Sequence, residues 1–96
     1  KSMDGFCPVG PWVVDEVDPD RLEVTTRLNG SVVQQGNTRE FITTVPKLLE
    51  FISASMTLEP GDVVATGTAA GIGPMQSGDV VEVEISHIGV LRNQVK

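Results

Sequence analysis

Leu22-Glu23-Val24-Thr25-Thr26-Arg27-Leu28, then Asn29-Gly30, then Ser31-Val32-Val33-Gln34-Gln35, is the stretch on which the fold turns. Both flanks are rich in β-branched residues, although the apolar/polar alternation of the first is imperfect. Asn-Gly accepts the positive φ angles of a type I′ turn, whose twist matches that of paired strands. The stretch predicts a β-hairpin over 22–35 that reverses at Asn29-Gly30.

Downstream, the period changes. Val45, Leu48, Leu49 and Ile52 fall at i, i+3, i+4 and i+7, a single apolar stripe on a helix running from Val45 to about Ser53. Pro46 fits a first helical turn, whose amides have no intrahelical acceptor, and Thr44 is a candidate N-cap. Such a helix is expected to lie across a sheet and cover its apolar face. The last third returns to β character, with Val80 to Ile85 and Ile88 to Val95 as two antiparallel strands. Pro60-Gly61-Asp62-Val63-Val64 and Ser77-Gly78-Asp79-Val80-Val81 are near copies: a glycine turn, an aspartate, then a candidate strand. Upstream, Trp12-Val13-Val14 is a short strand candidate, and Asp15 to Asp20 is an acidic surface turn. One helix among about six or seven strands makes the fold class α+β, mostly β.

Composition narrows the functional classes. The chain has 96 residues, enough for one domain with a modest core, and 40% of them are hydrophobic. A net charge of -6 argues against nucleic acid or an anionic membrane as partner, because phosphate binding needs lysine and arginine. No run approaches the roughly 20 apolar residues of a membrane helix. Cys7 is the sole cysteine, which excludes an intrachain disulfide and points to a reducing, cytoplasmic setting. The first residue is Lys1 rather than Met, followed by a Pro/Gly-rich run, so further sequence upstream is expected.

The residues by themselves supply few candidates for chemistry. Position alone makes Lys1 a solvated lysine and Asp4 a turn-former. His87, the only histidine, has no Cys, His or carboxylate at metal-ligand spacing and reads as structural. Asp62 and Asp79 follow turn glycines, where aspartate accepts local backbone amides. Cys7 has no basic neighbour and reads as a small buried residue. Thr66-Gly67-Thr68-Ala69-Ala70-Gly71-Ile72-Gly73-Pro74 is the best internal candidate. Its glycines let backbone amides approach a ligand, and its hydroxyls suit a carboxylate or phosphate oxygen. The residues leave open whether it is a ligand loop or a plain turn.

Four segments, taken in order, resemble a known family. Lys1-Ser2-Met3-Asp4-Gly5-Phe6-Cys7-Pro8-Val9-Gly10-Pro11 resembles the K-S-x-D-x-x-x-P-x-G-P run of the fumarylacetoacetate hydrolase family. Asn29-Gly30 with Gln34-Gln35-Gly36-Asn37-Thr38 is similar to its N-G-x-x-x-Q-x-G-N-T. Leu58 to Thr68 is similar to its L-x-P-G-D-v-i-x-T-G-T, and Ile88 to Asn93 to its closing strand. The resemblance implies β-sheets rolled around a core with few helices, a homodimer, and a small oxo-acid substrate. It also implies C–C bond hydrolysis, decarboxylation or isomerisation of 2-oxo or β-diketo acids through an enolate stabilised by Mg²⁺ or Mn²⁺.

Carried over by residue, Lys1 matches the lysine that stabilises the developing enolate, and Thr68 with Gly67 matches the loop that binds the substrate carboxylate. Gly5 stands where some members carry a hydroxyl, and Ala69 where the family has proline, an exchange expected to loosen the loop. The family's carboxylate metal ligands lie upstream of the lysine motif and have no counterpart in residues 1–96. Glu82 and Glu84 match no ligand and read as a solvated sheet face. Residues 1–96 are therefore expected to be the C-terminal portion of a catalytic domain. The alternative is a binding or oligomerisation module that keeps the fold and lacks the chemistry.

Overall fold

The computed structural model describes residues 3–96. Lys1 lies outside them. The elements run β1 (Glu23–Leu28), β2 (Ser31–Asn37), a 3₁₀ turn (Thr38–Glu40), α1 (Val45–Ser53), β3 (Val80–Ile85) and β4 (Gly89–Gln94). The strands form one antiparallel sheet in the order β2-β1-β3-β4.

The expected hairpin is present. Asn29 and Gly30 both take positive φ, 50° and 84°, and Leu28 pairs with Ser31 across the two-residue turn. The register then slips between Thr26 and Arg27: Arg27 faces Val32 but Thr26 faces Gln34, leaving Val33 as an extra residue. This β-bulge has a directional consequence. In a regular ladder Gln34 would pair with Thr25; the extra residue puts it opposite Thr26 instead, on the other face of the sheet.

The pairing gives the two faces different chemistry. Val24 lies opposite Ile85, Thr26 opposite Val83 and Leu28 opposite Val81, so one face is apolar. The other carries Arg27 beside Glu84 at 2.6 Å and Arg92 beside Glu82 at 3.4 Å. Glu82 and Glu84 thus belong to a charged outer face, as expected. These pairs are partly or largely exposed, so each contributes at most about 1 kcal/mol.

Three expectations are corrected. The described residues form four strands, not six or seven. Trp12-Val13-Val14 and Val63-Val64 have no ladder partner and stay irregular. Trp12 is held differently: its indole Nε1 donates to the Ile88 carbonyl at 2.6 Å, and its ring packs over Gly89.

The helix has the expected bounds but does not cover the sheet. None of its residues is buried, and Leu49 and Phe51 face solvent in this chain. A Leu49→Ala substitution therefore leaves no buried cavity here, and the cost of about 2–5 kcal/mol for emptying a core site does not apply. Thr44 occupies the cap position without a side-chain bond, and Asp20 supplies the anionic acceptor instead, taking the Val45 amide at 3.3 Å.

Cys7, expected to be buried, is exposed. The physical reason is general to the chain. Leu22 is the one buried apolar residue among those described, and it exchanges bonds with buried Thr38. The accessible surface is 7788 Å². A compact monomer of this size would expose about 5,300 Å². Among the described residues, no helix is long and apolar enough to cross a membrane.

Candidate functional site

The Thr66–Met75 loop runs over the apolar face of the sheet, and together they bound an open groove of about 950 Å³. Its floor includes Val24, Leu28, Val81 and Val83, and its wall is the loop itself. Among the described residues, no backbone hydrogen bond reaches 63–75.

Two contacts with β2 hold the loop in place. Gln34 Nε2 donates to Thr68 Oγ1 at 2.9 Å and to the Ala69 carbonyl at 2.7 Å. Gly71, at φ 104°, passes so close to the bulge that a Cβ there would lie 2.1 Å from the Val33 carbonyl oxygen. Only glycine fits, for conformation and for space together. The bulge thus serves twice: it turns Gln34 toward the loop and presents the backbone on which Gly71 rests. Gly67 is different. Its φ is 109°, but a Cβ would meet nothing within 4 Å, so its requirement is conformational alone.

Thr68 and Gly67 therefore stand at the rim of the groove, the Thr68 hydroxyl accepting from Gln34 and the Gly67 backbone with open space beside it. Thr68 is exposed, and Gln34 is half-buried beneath it. The Ala69 position, expected to loosen the loop, is tied by its carbonyl to Gln34. Gln34 is the loop-holding residue that sequence reasoning passed over. It stood within the N-G-x-x-x-Q-x-G-N-T resemblance, but nothing in the order of residues says that a bulge turns it toward Thr68.

The remaining candidates separate from this loop. Asp4 lies in a turn closed by the Phe6 amide on the Met3 carbonyl. His87 takes φ 64° in the β3–β4 turn. Asp62 and Asp79 accept the Glu59 and Gln76 amides, each at 2.8 Å, as expected of turn aspartates. The Gln76 amide and then the Asn29 side chain hold the Asp79 carboxyl below the usual carboxylate range. Among the described residues, no three His, Cys, Asp or Glu side chains come together to hold a metal ion.

Comparison with known proteins accounts for the whole chain. Residues 1–96 match the family model described as fumarylacetoacetate (FAA) hydrolase C-terminal. The oxaloacetate tautomerase YisK of Bacillus subtilis is 42% identical over 105 residues, covering 99% of this chain and 35% of that protein. Crystal structures show the same fold. The 2-hydroxyhepta-2,4-diene-1,7-dioate isomerase from Mycobacterium marinum superposes with a TM-score of 0.94 at 52% identity, over 97% of this chain and 37% of that one. A maleylpyruvate hydrolase from Sphingobium sp. SYK-6, in complex with manganese(II) and pyruvate, gives 0.89 at 39% identity, over 94% and 35%. The chain spans about two fifths of the length of the first curated relatives it matches. With a full-length family match, relatives that are hydrolases, isomerases and tautomerases, and the same sheet and helix, the chain belongs to the fumarylacetoacetate hydrolase family.

Proposed function

We propose that residues 1–96 form the C-terminal part of a divalent-metal-dependent enzyme acting on 2-oxo or β-diketo acids by C–C hydrolysis, decarboxylation or isomerisation. The observation that carries this reading is the Thr66–Met75 loop pinned by Gln34 over an apolar groove, with a threonine hydroxyl at its rim. The relatives named as oxaloacetate tautomerase, dienedioate isomerase and maleylpyruvate hydrolase point to the same substrate class.

In this reading Thr68 donates its hydroxyl, and Gly67 its amide, to the substrate carboxylate, which fixes the acid relative to the groove. Lys1 places an ammonium group against the negative charge that develops on the oxo group as the scissile bond opens. That role rests on the lysine motif, since Lys1 lies outside the described residues. The described residues do not fit a hard cation, which takes several oxygen ligands with carboxylates among them. We therefore assign Mg²⁺ or Mn²⁺, as in the manganese complex of the Sphingobium hydrolase, to residues outside this stretch. A homodimer, which the family resemblance implies, and a cytoplasmic setting, suggested by the single cysteine, complete the proposal.

The test uses the complete gene product. It should turn over oxo acids only with Mg²⁺ or Mn²⁺ and lose activity in EDTA. Lys1→Ala should lower kcat more than substrate affinity, the signature of a contact made mainly in the transition state. Thr68→Ala should instead raise KM. An enzyme indifferent to EDTA, or normal turnover by Lys1→Ala, would overturn the reading.

A further inference from the structure

We propose that Gln34 is a positioning residue that makes the Thr68 hydroxyl a hydrogen-bond donor toward a carboxylate in the groove. The inference rests on the reading of Thr68 as a carboxylate-binding residue, and it adds what makes that hydroxyl selective. The Ala69 carbonyl can only accept, so the group 2.7 Å from it must be the amide nitrogen of Gln34 and not its oxygen. That nitrogen carries two hydrogens, and the second acceptor in reach is Thr68 Oγ1 at 2.9 Å. A threonine hydroxyl has one hydrogen and two lone pairs. With a lone pair engaged by Gln34, its own hydrogen points away from Gln34 and is free for another acceptor. A carboxylate consists only of acceptors and meets a donor rather than a lone pair.

The surroundings keep this arrangement in register. The Val33 bulge puts Gln34 on the loop side of the sheet, and the contact of Gly71 with the Val33 carbonyl sets the height at which the loop crosses β2. Gln34 therefore reads the loop through two acceptors at once, a hydroxyl and a carbonyl. A glutamate of the same length reverses the polarity. Ionised, it accepts the hydrogen bond that the Thr68 hydroxyl would otherwise donate to a ligand, and it faces the Ala69 carbonyl acceptor to acceptor.

Gln34→Glu in the metal-loaded complete gene product tests the proposal, with pyruvate as the carboxylate probe in a calorimeter. At pH 8 the variant should bind pyruvate roughly tenfold or more weakly than wild type, the equivalent of one hydrogen bond to a charged group. KM for an oxo acid should rise similarly while kcat changes by less than about threefold, the mark of lost uniform binding. The ratio of variant to wild-type affinity should narrow toward about pH 5, as the new carboxyl gains a proton and can donate again. If Gln34→Glu fails to fold by circular dichroism, Gln34→Met carries the test: it removes both donors at similar length and should weaken binding without pH dependence. Wild-type pyruvate affinity in the folded glutamine variant, beside a weakened Thr68→Val, would overturn the role of Gln34 and leave the carboxylate reading intact. Wild-type affinity in both variants would overturn the carboxylate reading itself.

Discussion

Two turns built from nearly the same residues lead to different structures. In Glu59–Val64 and Gln76–Val81 the aspartate Oδ2 accepts the amide three residues back at 2.8 Å, and the aspartate amide donates to that residue's carbonyl at 3.1 Å. Gly61 and Gly78 take φ of 97° and 94°. Locally the two are one object. After the second, Val80 enters β3, where the Asn29 side-chain oxygen accepts from its amide and the Asn29 backbone amide donates to its carbonyl. After the first, Val63 is exposed and the chain continues without a ladder into the Thr66–Met75 loop. The same turn therefore starts a strand only where a neighbouring strand offers partners. Where none does, the chain is freed to form the loop over the groove, fastened by Gln34 and Gly71 instead of by a sheet.

The largest effect should come from breaking the fastening after the first turn. Gly71→Val puts a Cβ where the Val33 carbonyl oxygen lies, at a φ that a branched residue rarely adopts. Oxo-acid turnover by the complete gene product should fall by roughly a hundredfold or more, since small misplacements of a positioning group are enough for that. Amide hydrogen exchange should stay slow in β1 and β3, showing that the sheet survives the change. Normal turnover would show that the loop does not need its seat on the bulge.

The next test strains turns whose glycines have open space around them. Gly30→Val should cost about 1 kcal/mol or more through left-handed strain alone, since a Cβ there meets nothing within 4 Å. Gly61→Val and Gly78→Val should incur similar strain in denaturant melts, because their φ values and surroundings match. A much larger cost at Gly78 would mean that the two turns differ locally after all.

A smaller difference should separate the aspartates. Asp79→Ala should destabilise more than Asp62→Ala, because Asp79 also accepts from Asn29 Nδ2 at 2.9 Å and so ties the hairpin turn to β3. A double-mutant cycle with Asn29→Ala should reveal coupling for Asp79 and none for Asp62. Equal costs would remove the tertiary part of the comparison.

The smallest effect is on pH dependence. The Asp79 carboxyl is held below its usual value of 3.8, first by the Gln76 amide and then by Asn29. A lowered folded-state value means stability that is fully present above the usual carboxylate range and lost as pH falls through the folded value. Asp79→Asn should flatten that acidic limb of the stability curve, while neutral pH shows no titration at this site.

Local chemistry made much of the molecule legible. The hairpin over 22–35 follows from Asn29-Gly30, because few residue pairs accept two positive φ angles. The helix over 45–53 follows from the spacing of Val45, Leu48, Leu49 and Ile52, and the turn roles of Asp62 and Asp79 from a carboxylate beside a glycine turn. The ordered motifs likewise carried the family and the loop that holds Thr68. Each of these depends on residues a few positions apart, so the chain states them directly.

What only the tertiary structure decided depends on partners distant in the chain. Whether Val63-Val64 is a strand turns on which neighbour it meets, and whether Leu49 is buried turns on what lies over it. Thr44 holds the N-cap position, but the side chain that accepts the Val45 amide there is that of Asp20, 25 residues away. Above all, one extra residue at Val33 exchanges the faces of β2 and sends Gln34 to the hydroxyl of Thr68, 34 positions on. A bulge is set by the balance of pairing along two strands and packing on both faces, and no single position in the sequence encodes it.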